Sequence, residues 1–232
     1  MDILFSPELK TKNIELSVIA WEINDLTLHT SNYDFSPRIQ EIEQIIRQKY
    51  TIENIKDDPI IAAYRSFYWK YLNIDPTKTR PACEALIRRI LADKPIPKIS
   101  PFVDAYNWGS IESGISLGAY DLDSFTGPIT IRIARPNEKF IPIGSETKNL
   151  PVTAIVVADA NEIILCQYPY RDGQKTMVTP NSKNVIVLAY GANGITQNQV
   201  QEGISMTNTN INWLINHNMI QLRSTQSKFF QN

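Results

Sequence analysis

An α+β fold (mixed α/β in its order of elements), with a helical block packed on a mixed β-sheet, is what this 232-residue sequence predicts. Three observations predict it. Between residues 36 and 113, apolar residues recur at helical spacing, and each run opens beside a proline. From Leu117 the texture changes to short Ile- and Val-rich runs bounded by Gly, Pro, Asn and Asp. A long polar helical pattern over residues 196–216 follows. Hydrophobic content of 43% and charged content of 20% are ordinary for a globular chain. This length buries a sizeable core without disulfides or metals.

Taken in order, Ile14, Leu16 and Val18 alternate with polar or small residues and predict a strand, and Leu26 and Leu28 predict a second. Ser36 is the expected N-cap and Pro37 the first residue of a helix that places Ile39, Ile42, Ile45 and Ile46 on one face. Asp58 before Pro59 opens a second helix with Ile60, Tyr64, Phe67, Tyr68 and Tyr71 at helical spacing. Pro81 opens a third, with Leu86, Ile87, Ile90 and Leu91 apolar, ending before Pro95. Ser100 and Pro101 open a fourth. Beyond it Ile129, Ile131 and Ile133 alternate, "VTAIVVADANEIILCQY" reads as two strands turned at Ala160 and Asn161, and "NVIVLAY" reads as another. In the last helix Val200, Ile204, Ile211, Leu214 and Ile215 keep one face, and the tail "RSTQSKFFQN" frays or docks. Residues 1–55 are expected to be strands and a helix within the same domain as residues 56–232.

Several function classes are disfavoured. No apolar run approaches the roughly 20 residues needed to span a bilayer, and no secretory signal is read at the start. A cytoplasmic protein with no membrane partner is expected. Cys83 and Cys166 lack CxxC partners and read as two buried thiols. His29 and His217 lie far apart and outside any HxxxH or HExxH context, so neither a metal site nor a Ser–His triad is expected. Phosphate-loop and GxGxxG patterns are lacking too, and no cofactor is expected. Net charge is −1, but residues 65–98 hold eight basic and three acidic residues. A solvated helix face is the commoner meaning of such a patch. Nucleic-acid phosphate is the functional one.

The densest polar and glycine-rich stretch is "NWGSIESGISLGAYD", Asn107 to Asp121. Glu112 follows Asn107 by five residues, Gly114 by seven, and Ala119, Tyr120 and Asp121 by twelve to fourteen. This resembles the "NY…E.GQP.HAFD" stretch of the B3/B4 editing domain in the β subunit of phenylalanyl-tRNA synthetase. "ITIRIARPNEKFIPIG", "LPVTAIVVAD" and "TMVTPNSKNVIVLAY" resemble later pieces of that domain in the right order. "LNIDPTKTRPACEALIRRIL" is similar to the signature of its free-standing versions. The resemblance covers roughly residues 60–191. Aminoacylation motifs are lacking, so a synthetase is not expected.

The resemblance implies a domain that handles the aminoacylated end of tRNA, so an RNA partner is implied and no DNA partner is expected. In the synthetase the domain hydrolyses tyrosine wrongly attached to the phenylalanine tRNA; a free-standing copy would edit in trans. The alternative is a non-catalytic module that binds tRNA or a free amino acid. The family's histidine, eleven residues after the asparagine, is Gly118 here, which removes a donor and proton carrier and opens space.

Ester hydrolysis needs an oriented water and donors for the developing oxyanion. Asn107, Glu112 and Asp172 are the candidate catalytic residues: an amide that donates and accepts, and two carboxylates to orient water or take the α-ammonium. Gly114 and Gly118 would let backbone approach the substrate. Tyr120, Arg171 and Thr176 complete the substrate-binding set, Arg171 through the terminal phosphate. Buried turn contacts, a helix-end carboxylate and an Arg–Asp turn pair are the structural alternatives. Arg80, Arg88 and Arg89 are the candidate RNA contacts, and at most one of the adjacent pair is expected to face a pocket. Tyr68, Trp69, Tyr71 and Trp108 would stack a base, or, as their spacing favours, pack in the core.

Overall fold

The computed structural model describes residues 1–29 and 34–232. β1 (Ile3–Phe5) and α1 (Pro7–Thr11) precede β2 (Ser17–Asn24) and β3 (Thr27–Leu28). α2 (Ser36–Lys49), α3 (Pro59–Lys70), α4 (Ala82–Leu91) and α5 (Pro101–Ser113) follow. Then come β4 (Ser116–Asp121), β5 (Ile129–Ile133), β6 (Lys139–Phe140), β7 (Lys148–Asn149), β8 (Ile155–Ala158), β9 (Ile164–Gln167), β10 (Arg171–Asp172) and β11 (Val185–Gly191). α6 (Gln197–Asn216), β12 (Ile220–Gln221) and β13 (Ser224–Gln231) complete the order.

Side-chain caps start most of the long helices. The Asp58 carboxylate accepts from the Ile60 and Ile61 amides at 3.0 and 3.3 Å, and Ser100 Oγ accepts from Val103 N at 3.4 Å. Thr196 and Gln199 form a reciprocal capping box on α6. α2 departs from expectation by one residue. Phe35 stands at the cap, and Ser36 is already helical, its amide held by Asp34 Oδ1 at 2.9 Å. Ile42 and Ile46 of α2 are buried, but Ile45 is 42% exposed and lies off that face.

The strands divide into two principal sheets rather than one. The first runs β1-β5-β8-β9-β10, with β1 parallel to β5 and the remaining pairs antiparallel. The second runs β13-β2-β11-β4, antiparallel throughout. β2 begins at Ser17, so Ile14 and Leu16 are buried on the approach to it rather than within it. The tail docks as β13, in register with β2 from Ser224 opposite Asn24 to Gln231 opposite Ser17. α6 packs on α5 and against β2 and β11.

One large core fills the space between helices and sheets. β8 shows how the alternation works: Ile155 and Val157 join that core, while Val156 and Ala158 join a smaller cluster with Phe140, Leu150 and Ile164. Cys83 and Cys166 are both buried and unbridged, as expected of them. Tyrosine hydroxyls join one sheet to the other and a helix to a sheet. Tyr168 Oη, just past β9, hydrogen-bonds to Ser17 O on β2 at 3.0 Å and to Gly191 O on β11. Tyr64 Oη of α3 donates to Tyr190 O and accepts from Ser116 N at 3.1 Å. Among the described residues, no helix is long and apolar enough to cross a membrane.

Candidate functional site

β4 and β10 are edge strands of different sheets, and their edges meet beside an isolated bridge between Tyr120 and Met177. Gly118, Tyr120 and Asp172 converge there. Residues 118 and 120 of a strand point to the same side. A Cβ on Gly118 would sit 2.4 Å from Tyr120 Oη and 3.0 Å from Asp172 Oδ1. The volume a side chain at 118 would take is thus filled by a tyrosine hydroxyl and a carboxylate.

Tyr120 is fully buried and its hydroxyl is 2.6 Å from Asp172 Oδ1 and 2.6 Å from Tyr190 Oη. Tyr190 Oη in turn lies 3.3 Å from Cys166 Sγ. A phenol has one proton to give. With Asp172 ionised, Tyr120 donates to the carboxylate, Tyr190 donates to Tyr120, and the Cys166 thiol is left to donate to Tyr190. Burial pushes the Asp172 carboxyl up to about 6, against the opposing pulls of the Tyr120 hydrogen bond and the Arg171 charge. Burial likewise pushes the Cys166 thiol up to about 12, and Asp172 adds to that effect. Cys166 is therefore held as a thiol at neutral pH. Tyr106 of α5 is raised by burial and next by the Asp172 charge, which brings α5 within electrostatic reach of the carboxylate.

The other predicted residues are distributed as follows. Asn107 is half-buried on α5, one residue beyond Tyr106. Glu112 is engaged elsewhere. Its Oε1 accepts from Arg38 Nη2 at 2.7 Å and its Oε2 from Asn210 Nδ2 at 2.7 Å, while Arg38 Nε donates to Asn210 Oδ1 at 2.8 Å. Both carboxylate oxygens tie α5 to α2 and α6, the role of a structural ion. Gly114 caps α5 in the left-handed region at φ +74°, and its amide donates to Ser110 O at 3.0 Å. That N–H closes the helix rather than facing a substrate. Tyr120 is fully buried, with its hydroxyl on Asp172 and Tyr190. Arg171 is exposed on β10, 5.9 Å from the centre of the Tyr170 ring. Thr176 is fully buried in the 3-10 turn Gln174–Thr176, and its hydroxyl has no hydrogen-bond partner among the described residues.

Of the aromatics considered for stacking, Tyr68 and Trp108 are core, Tyr71 is half-buried and Trp69 is 64% exposed. Sequence reasoning reads Cys166 only as a buried thiol and does not place it, Tyr190 or Tyr106 near Asp172. Tyr190 and Cys166 sit in apolar strand runs, where periodicity announces packing and says nothing of a polar tip.

Basic residues gather around α4. Arg80, Arg88, Arg89 and Lys94 line one cleft of about 250 Å³ with Ile52, Ala85 and Ala92. Adjacent helical residues are expected to diverge, yet Arg88 and Arg89 both face this cleft. Ala85, Arg88, Arg89 and Ala92 fall at the i, i+3, i+4, i+7 positions of one helical stripe.

A family model described as the B3/4 domain matches residues 63–210. The phenylalanine–tRNA ligase beta subunit of Psychrobacter arcticus is 27% identical over 173 residues, covering 75% of this chain and 20% of that protein. That of Idiomarina loihiensis is 33% identical over 92 residues, covering 40% of this chain and 11% of that protein. The chain thus spans between a tenth and a quarter of the relative's length in these matches. An N-terminal fragment of the phenylalanyl-tRNA synthetase beta subunit from Pyrococcus horikoshii aligns with 100% of this chain and 54% of its own, at a TM-score of 0.47 and 13% identity. The matched span takes in α4, β4, β10 and β11, and more than half of the sequence; the chain belongs to the B3/4 domain family.

Proposed function

We propose that this chain removes an amino acid wrongly esterified to a tRNA, acting in trans as an aminoacyl-tRNA deacylase. The observation that carries the reading is Asp172, a half-buried carboxylate raised to about 6 at the meeting edge of two sheets. A carboxylate tuned toward neutrality is suited to general-base chemistry. Tyr120 fixes its orientation with a 2.6 Å hydrogen bond. The relatives' name supplies tRNA as the substrate class.

In this reading Asp172 takes a proton from a water, and the hydroxide attacks the ester carbonyl carbon. The tetrahedral intermediate collapses by breaking the bond to the ribose oxygen, which leaves with the proton Asp172 took up. Asn107 holds the ribose or the carbonyl, and Arg171 meets the terminal phosphate. Glu112 has no part in the step.

The second reading is a binding module without turnover. It is favoured by the engagement of Glu112 with Arg38 and Asn210, which leaves Asp172 without a second carboxylate for acid–base work. A panel of correctly and incorrectly charged tRNAs separates the two. Loss of the ester from one mischarged species, abolished in Asp172→Asn, supports the hydrolase. Retention of tRNA with no deacylation of any species supports the binding module and rejects the enzyme.

A further inference from the structure

We propose that the α4 cleft is a phosphate-ester site, occupied by the RNA backbone when the acceptor end reaches Asp172. The choice of RNA as the source of the phosphate rests on the function proposed above; the phosphate chemistry does not. Charges at the end of a helix are often explained by its dipole, which favours cations in the last turn. That explains Arg88 and Arg89 separately. It does not explain why Arg80, which precedes α4, and Lys94, which follows it, line the same cleft.

The arginines are held for the task. Glu84 is fully buried, and its Oε1 accepts from Arg88 Nε at 2.7 Å and from Arg65 Nη1 at 3.0 Å. Arg88 Nη1 donates to Ile52 O at 3.0 Å, and Arg89 Nε donates to Pro95 O at 2.9 Å. These hydrogen bonds fix both guanidinium planes and, among the described residues, leave the Nη2 group of Arg88 and both terminal nitrogens of Arg89 for a ligand. Among the described residues, no carboxylate lines the cleft. Planar forks with fixed orientation over a small alanine floor suit tetrahedral phosphate oxygens, while exposed Arg80 and Lys94 add charge at the rim.

The test uses the full chain and the variant Arg80→Gln/Arg89→Gln/Lys94→Gln, which spares the Arg88–Glu84 pair and so the packing of α4. Retention of tRNA is measured from low to high KCl, and binding of inorganic pyrophosphate is followed by calorimetry. The variant is expected to bind tRNA at least about tenfold more weakly at low salt. Its slope of log affinity against log salt should be shallower by about 0.7–0.9 for each phosphate that it no longer neutralises. Pyrophosphate heat should vanish as well. If the wild type retains no tRNA at any salt but binds pyrophosphate and the variant does not, the phosphate site stands. Its ligand is then a free phosphorylated compound, and the tRNA reading fails instead. Equal salt slopes and equal pyrophosphate binding in the two proteins would overturn the proposal.

Discussion

Asp172 sits where burial and use oppose each other. Its carboxyl ordinarily titrates at 3.8 and in the fold at about 6. Between those values the folded state binds the proton more tightly than the unfolded chain does. The group therefore favours folding below pH 4, and that contribution is lost as pH rises through about 6. A deacylase using the ionised form should show a rate that climbs through pH 6 and levels above it; a rate flat from pH 5 to 8 would remove Asp172 from the chemistry. Asp172→Asn keeps an oxygen for Tyr120 but carries no charge. At pH 8 it should raise Tm by about 2–4 °C for each kcal/mol of relieved desolvation while abolishing turnover. Tyr120→Phe works the other way on the titration. Removing the hydrogen bond that lowers the Asp172 carboxyl should move the climb in rate to higher pH. Gly118→Ala drives a methyl into the Tyr120 hydroxyl and should cost about 1–3 kcal/mol along with activity.

Helix starts are legible in the sequence because proline and a capping oxygen act locally, at Asp58–Pro59 and Ser100–Pro101 alike. β1 and β10, three and two residues long, are too short for a period to show, and they exist through pairing with β5 and β9. Faces are less legible than elements. Glu112 and Asn107 lie on one helix, and sequence spacing does not say which neighbour each meets. Arg38 and Asn210, the partners that claim Glu112, are 74 and 98 residues away in sequence. The α2–α5–α6 junction tests that assignment. Arg38→Ala leaves the Glu112 carboxylate, with 9% side-chain exposure, without its cation and should cost about 3–5 kcal/mol, read as a fall in the urea midpoint at constant m. Adding Glu112→Gln to that variant should restore part of the loss. If Glu112→Gln alone abolished deacylation without lowering stability, the carboxylate would be catalytic after all.

At the scale of the whole molecule, Asp172 belongs to one sheet and Gly118 and Tyr120 to the other, so the candidate site exists only while the two sheets hold their spacing. The hydrophobic pattern alone allows them to slide, because apolar contact is non-directional. Tyrosine hydroxyls supply direction. Tyr168 reaches the backbone of both β2 and β11 from the end of β9, and its ring meets Tyr190 edge-on at 4.8 Å. Tyr168→Phe keeps the ring and leaves the Ser17 and Gly191 carbonyls without that donor, a cost of about 1–3 kcal/mol. If the seam positions the site, the variant should lose deacylation at urea concentrations where circular dichroism still reports folded protein, whereas wild-type activity and structure should fall together. Coincident loss in both proteins would mean that the sheets are registered by packing alone, and that the tyrosine hydroxyls only satisfy buried backbone.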